Sequence, residues 1–373
     1  MTHSRPTRPS DARPTRYDAT RRPPPAPGHP SVDAPADALE RVERLARELV
    51  LTRDAGTTGG APRTLVRAHA AGELVRVRRG AYVGTTVWEA ATAEERHALR
   101  ACAATALFPG VVLSHQSAAV AWGVPRTDGW DEVAHVCAGA ASGGRSTSQL
   151  VQHTFGGELE VVARGSAGRC VGAERTVVDL ALTDSFASAL ASADWALRVG
   201  LAGHDGLARV LSGHAAVLGR ARAERVLAHA DGRSGSVGES VSRARMLELG
   251  LPRPQLQVEV RDADGLAGRV DFAWEDLALV GEFDGRAKYL REEYLGGWDP
   301  GEVVWAEKRR EDRLRGAGWR VVRWGWDDLA DRTRLARLLA AAGLRGARAV
   351  PTEASGRREV RRGPAGRRRG GVA

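Results

Sequence analysis

The sequence predicts a multidomain α/β protein. It opens on a winged helix-turn-helix, continues through an α+β and helical middle, and closes on a C-terminal mixed sheet flanked by helices. Three observations carry this. The chain has 373 residues of which 43% are hydrophobic, too long for one ordinary domain and apolar enough for more than one core. A helical stretch followed by an Arg-rich strand pair stands near residue 80, and residues 235 to 342 read as helix, three strands, helix, strand, helix. The expected divisions are an arm over 1–35, a winged helix over 36–88, a small α+β region over 89–170, a helical connector over 171–234, the mixed-sheet domain over 235–342 and a tail over 343–373.

Residues 1 to 35 are rich in Pro, Arg and Ser and carry too few apolar groups to offset the entropy of ordering, which predicts disorder. Ala36 to Val50 places Leu39, Val42, Leu45 and Leu49 at helical spacing and predicts the first amphipathic helix. Beyond a Gly/Thr turn, Ala61 to Val83 reads as a helix, a break at Gly72 and two short strands around Arg78, Arg79 and Gly80. The helix presents Arg63, Thr64, Arg67 and His69 away from Leu65, Val66 and Ala70. The hairpin is expected to carry Arg76, Arg78 and Arg79 as a wing that reaches phosphates or a minor groove.

Charge and cysteine content agree with a nucleic-acid partner inside the cell. Lys+Arg outnumber Asp+Glu by 55 to 46, for a net charge of +9, a balance that favours polyanions. Part of the excess lies in the tail, where Arg357, Arg358, Arg361, Arg362, Arg367, Arg368 and Arg369 would add salt-sensitive affinity for phosphates. Only Lys288 and Lys308 are lysines. Cys102, Cys137 and Cys170 are far apart and unpaired in number, which argues against a disulfide framework or a zinc site. No run has signal-peptide or membrane-spanning character, so a soluble cytoplasmic protein with no membrane partner is expected.

In the middle, Thr92 to Phe108 predicts a helix, and Val111 to Pro125 a buried strand or turn leading into a short helix. GELVRVRRGAYV followed by LSHQSAAVAWGVP resembles the start of AbiEi-type antitoxins. That resemblance implies a DNA-binding repressor element in the N-terminal winged helix, and the operator of a toxin gene as its target. Ser114, His115 and Ser117 lack a G-x-S-x-G elbow or an acidic partner in sequence, and a helix start with a satisfied histidine explains them. EVAHVCA and QLVQHTF read as strands joined by a Gly/Ser loop from Ala140 to Ser148, and Glu174 to Ala230 as Ala/Leu-rich helices.

The chemistry is concentrated between Ser236 and Leu329. SVGESVSRARMLELGLP predicts a helix ended by Gly250 and Pro252, and QLQVEV, GRVDFAW and LALVGEF follow as strands. Asp271 lies on the second strand, and Glu282 and Asp284 end the third. Side chains two apart on a strand share a face, so Glu282 and Asp284 should point the same way, with Asp271 joining them from the neighbouring strand. Three carboxylates at the rim of an apolar sheet repel one another, and Mg²⁺ or Mn²⁺ is the expected remedy. Such an ion polarises a phosphoryl oxygen and activates a water. Lys288 would orient that water or neutralise developing charge, and Lys308 and Arg309, on the helix before the last strand, would contact phosphates.

GESVSR, GLPRPQLQ, VDFAW, EFDG and EKRREDRLRGAGWRVVRW together resemble the restriction-endonuclease-like PD-(D/E)xK superfamily. The likeness is to a small bacterial domain related to very-short-patch-repair endonucleases, and it spans about Gly235 to Leu329. It implies Asp271 and Glu282 as metal ligands, Glu239 as a supporting acid, and a metal-dependent endodeoxyribonuclease activity. The superfamily lysine two residues after the second acid is here Asp284. Ser236 and Glu239 also fit a capping box. Two readings therefore stand: a DNA-binding protein that hydrolyses DNA phosphodiesters, and a non-catalytic AbiEi-like repressor whose nuclease-like domain is degenerate.

Overall fold

The computed structural model describes residues 35–54, 61–108, 110–139, 150–155, 159–285 and 300–345. The expected arm, most of the expected tail, the Gly/Ser loop and Lys288 lie outside the described residues. Of the residues expected in the tail, 343–345 are described, and Leu344 is fully buried. Among the described residues no helix is long and apolar enough to cross a membrane.

The N-terminal unit begins with α1 (Pro35–Arg47), which buries Ala38, Val42 and Leu45 along one stripe. Where the sequence predicts helix to residue 50, the chain instead enters a short strand, β1 (Val50–Leu51), that pairs with β3. Then come α2 (Ala61–Ala70), β2 (Leu74–Arg78) and β3 (Ala81–Gly84). The three strands form an antiparallel sheet in the order β1-β3-β2. Gly80, at φ 91°, lets the chain turn tightly between β2 and β3.

Next come α3 (Thr85–Ala90) and α4 (Ala93–Leu107), the latter started by a capping box between Thr92 and Glu95. A five-stranded mixed sheet in the order β6-β5-β4-β8-β7 follows, built from β4 (Val112–Leu113), β5 (Ala134–Gly139), β6 (Leu150–Phe155), β7 (Val161–Ala163) and β8 (Arg169–Val171). Helix α5 (His115–Trp122) is buried along its whole length. The connector is α6 (Ala173–Thr183), α7 (Phe186–Arg198), α8 (His204–Gly213) and α9 (Arg220–His229).

The C-terminal unit runs α10 (Val237–Glu248), β9 (Gln255–Asp262), β10 (Gly265–Trp274), β11 (Leu279–Phe283), α11 (Pro300–Gly316), β12 (Arg320–Trp324), α12 (Trp326–Ala330) and α13 (Arg332–Ala341). Strands β9 to β11 form an antiparallel meander, and β12 returns parallel to β11 after α11. This is the predicted order. One face of the sheet turns Leu256, Phe272, Trp274, Leu279, Phe283 and Trp324 into a core shared with the connector. The other packs Val260, Ala267, Val270, Ala273 and Val280 with Leu314 of α11. The Trp324 indole donates to Ser242 Oγ at 2.8 Å, tying β12 to α10. Cys102, Cys137 and Cys170 are free thiols, all buried.

Candidate functional site

The helix and hairpin expected to meet DNA are present, and they separate the arginines into two kinds. Arg63 and Arg67 on α2 are exposed, as are Arg76 and Arg79 on the hairpin. Arg78 is not. It is only 6% exposed, its guanidinium lies 4.6 Å from the Phe108 ring centroid, and burial lowers its pKa. The register shift between Arg76 and Arg78 turns Arg78 inward, so its assignment as a wing contact is corrected. Among the described residues its Nη1 has no hydrogen-bond partner.

The acidic centre is assembled from α10, β9, β10 and β11. Ser236 caps α10 by accepting from the Glu239 amide at 3.2 Å. The Glu239 carboxylate accepts from Ser236 Oγ at 2.9 Å and from the Gly235 amide at 2.7 Å. Glu239 therefore makes the cap foreseen for it, but it also reaches the centre. Gln257 Nε2 donates to Glu239 Oε2 at 2.8 Å and to Asp271 Oδ1 at 3.3 Å, so a single amide bridges two buried carboxylates. Gln257 sits at φ 54°, a conformation that costs a non-glycine residue energy. Sequence reasoning missed this residue, because nothing in QLQVEV marks its middle glutamine as kinked.

Asp271 and Glu282 are both buried but are engaged in different directions. The pairing of β10 with β11 runs from Trp274–Leu279 to Phe272–Gly281, and beyond it the Phe283 amide donates to Asp271 Oδ2 at 2.9 Å. The carboxylate thus takes the place of a ladder acceptor. Glu282 faces α11, where Arg310 Nη2 lies 2.7 and 2.8 Å from its two oxygens. Arg323 of β12 adds a contact at 3.1 Å. Glu307 completes the network, 2.6 Å from Arg310 and also paired with Arg323. Burial raises the Glu282 pKa despite both arginines. Burial also pushes Glu307 upward, but its bonds to Arg310 and Arg323 outweigh that and leave its pKa lowered.

The predicted gathering of Asp271, Glu282 and Asp284 on one ion is not the arrangement seen. Asp284 is half-buried at the end of β11, and its amide donates to the Trp324 carbonyl at 2.8 Å. Among the described residues no three His, Cys, Asp or Glu side chains form a group able to hold a metal. The donors that do meet fit an ion poorly: Glu282 is already neutralised by two guanidinium groups, and Asp271 holds a backbone amide. Arg310 stands on the charged helix face expected to meet phosphates, but its pairing with Glu282, 28 residues away, is not legible in the sequence, and Arg323 reads only as part of the strand WRVVRW. Lys308 and Arg309 are exposed on α11, as expected, and the Arg309 guanidinium lies 4.7 Å from the centroid of the exposed Trp305 ring.

No known family profile matches the chain. Two uncharacterized proteins of Mycobacterium tuberculosis, MT2308 and Rv2248, are each 32% identical to it over 154 residues. That stretch covers 41% of this chain and 54% of theirs, so the chain spans about half the length of the curated relatives it matches. The crystal structure of the RV2827C protein from the same organism matches with a TM-score of 0.34 at 19% identity, covering 58% of this chain and 83% of that one.

Proposed function

We propose that this chain is a DNA-binding regulator. In this reading the α2–hairpin unit grips phosphates through Arg63, Arg67, Arg76 and Arg79, and the C-terminal sheet is a nuclease-type scaffold without metal-dependent cleavage. The observation that carries the binding half is the exposure of these four arginines on a helix and the hairpin after it, in a chain of net charge +9. The non-catalytic half rests on Glu282, whose two oxygens are held by Arg310. Its charge is met without an ion. The AbiEi-like motifs support the operator of a toxin gene as the target.

One observation favours the second reading, a Mg²⁺- or Mn²⁺-dependent endonuclease. Gln257 brings the carboxylates of Glu239 and Asp271 onto one amide, and a cation could replace that donor. Asp271→Asn separates the two. If Asp271 chiefly anchors the Phe283 amide, the variant loses about 1–3 kcal/mol of stability, read by urea unfolding. If it belongs to a cluster of repelling acids, stability holds or rises and divalent-ion binding disappears. Incubating the wild type with plasmid, single-stranded and branched DNA in Mg²⁺ or Mn²⁺ gives binding that survives EDTA and no cleavage under the first reading. Cleavage lost on Asp271→Asn establishes the second.

A further inference from the structure

Five of the ten histidines meet in the middle of the chain. His115 opens α5 at φ 49°, and its ring stacks on His153 of β6 with centroids 3.6 Å apart. His153 Nε2 lies 3.0 Å from His135 Nδ1, and His135 Nε2 lies 3.0 Å from Asp131 Oδ2. His97 of α4 contacts Ser117 Oγ at 2.9 Å and the Asp131 carbonyl at 2.8 Å. On the far side Asp179 of α6 receives Arg175 at 2.6 Å and His214 at 3.1 Å, and its other oxygen lies 3.6 Å from His115 Nδ1.

Two of these contacts fail if both of their rings are charged, the one between His135 and His153 and the stack of His115 on His153. In its Nε2-protonated neutral tautomer, His135 donates to the Asp131 carboxylate and turns the lone pair on Nδ1 toward His153. The 3.0 Å contact is a hydrogen bond only while one of those facing nitrogens lacks a proton. The 3.6 Å stack likewise tolerates two neutral imidazoles and not two cations. We propose that the packing of His115, His135 and His153 among α5, β5, β6 and α6 is an acid-released latch that opens the middle of the chain on mild acidification.

The charged and titratable groups around the rings act in both directions, and burial outweighs them. Arg100 on α4, Arg126 before β5 and Arg175 on α6 oppose added positive charge. The Cys137 thiol, raised to about 11 chiefly by burial, stays neutral. Asp131 and Asp184 favour charge on His135, and Asp179 favours it on His115 and His153. Asp184 is however bound by Arg126 at 2.8 Å, and Asp179 is shared with Arg175 and His214. Burial, the largest influence, lowers His97 to about 4, His115 to about 3 and His153 to about 4, and lowers His135 as well.

A released histidine returns to an ordinary value of about 6.5, so below that pH the open form takes up protons first. Between pH 6.5 and 5.5 each histidine held neutral then raises the open population about fivefold, and His115 and His153 together about thirtyfold. Amide hydrogen exchange on the full chain at pH 7.5, 6.5 and 5.5, corrected for intrinsic rates, tests this. The expected result is a loss of protection of about thirtyfold in α5, β5 and β6 between pH 6.5 and 5.5, with β9 to β11 little changed. Equal loss in both regions, or none in either, overturns the latch. Histidine C2-proton titration of the wild type gives a reading that needs no variant: His115 and His153 neutral at pH 5.5 while folded supports it, and ordinary titration near 6.5 overturns it.

Discussion

At the scale of single residues, the same arginine-rich hairpin holds side chains of opposite use. Arg76 and Arg79 are exposed, whereas Arg78 is buried over Phe108. Arg76→Ala and Arg79→Ala should each lower the salt slope of DNA binding by about one unit. Arg78→Met keeps the volume over Phe108 and removes a desolvated charge, so it should leave that slope alone and hold or raise the thermal midpoint. Fluorescence anisotropy at several salt concentrations, beside calorimetry, checks both. A flattened slope in Arg78→Met would return this residue to the DNA face. The Glu282 network makes a second claim at this scale. Arg310→Met leaves a buried carboxylate with only Arg323 and should cost about 3–5 kcal/mol in urea unfolding. Adding Glu282→Leu should recover most of that loss. Failure of the double variant to recover would mean that Arg310 acts through something other than this charge.

At the scale of elements, the sheet and α10 are specified by small residues where large ones must meet. A Cβ on Gly238 would lie 1.9 Å from Phe283 Cε1, and one on Gly281 would lie 2.5 Å from the Trp324 ring. Gly238→Ala should therefore destabilise by about 1–3 kcal/mol, and Phe283→Leu in the same chain should relieve part of it. Additive losses in the double variant would refute that close approach. Much of this layer was legible in the sequence. Alternation placed Asp271 and Glu282 on neighbouring strands, and the Ser236–Glu239 spacing gave the cap. What was not legible depends on backbone departures and distant partners. Neither the positive φ of Gln257 nor the partners of Asp271 (Phe283 and Gln257) and of Glu282 (on α11) can be read from alternation. The two residues of β1 are too few to carry a pattern. His115 reads as a helix start, which it is, but its companions lie on four other segments.

At the scale of the whole molecule, the hydrophobic core does not stop at the division expected near residue 234. One continuous cluster joins Val42 of α1, Leu113 of β4, Leu190 and Trp195 of α7, Val241 and Met246 of α10, and Phe272 and Trp324 of the last sheet. Polar ties cross the same boundary: Arg243 of α10 pairs with the fully buried Asp194 of α7 at 2.6 Å, and Arg198 donates to the Ser234 carbonyl at 2.6 Å. Cutting there would expose the apolar face of α10 and leave Arg243 without Asp194. Residues 235–345 expressed alone should accordingly aggregate or lack a cooperative transition, while residues 35–345 should keep the thermal midpoint of the full chain, since Leu344 is retained. Shortening further to residue 342 removes Leu344, whose burial contributes about 1.5–3 kcal/mol, and should lower the midpoint by several degrees. Calorimetry of the three fragments decides the matter: a sharp, reversible transition in 235–345 would show that the sheet domain folds by itself and that its contact with α7 is a docking of two finished units.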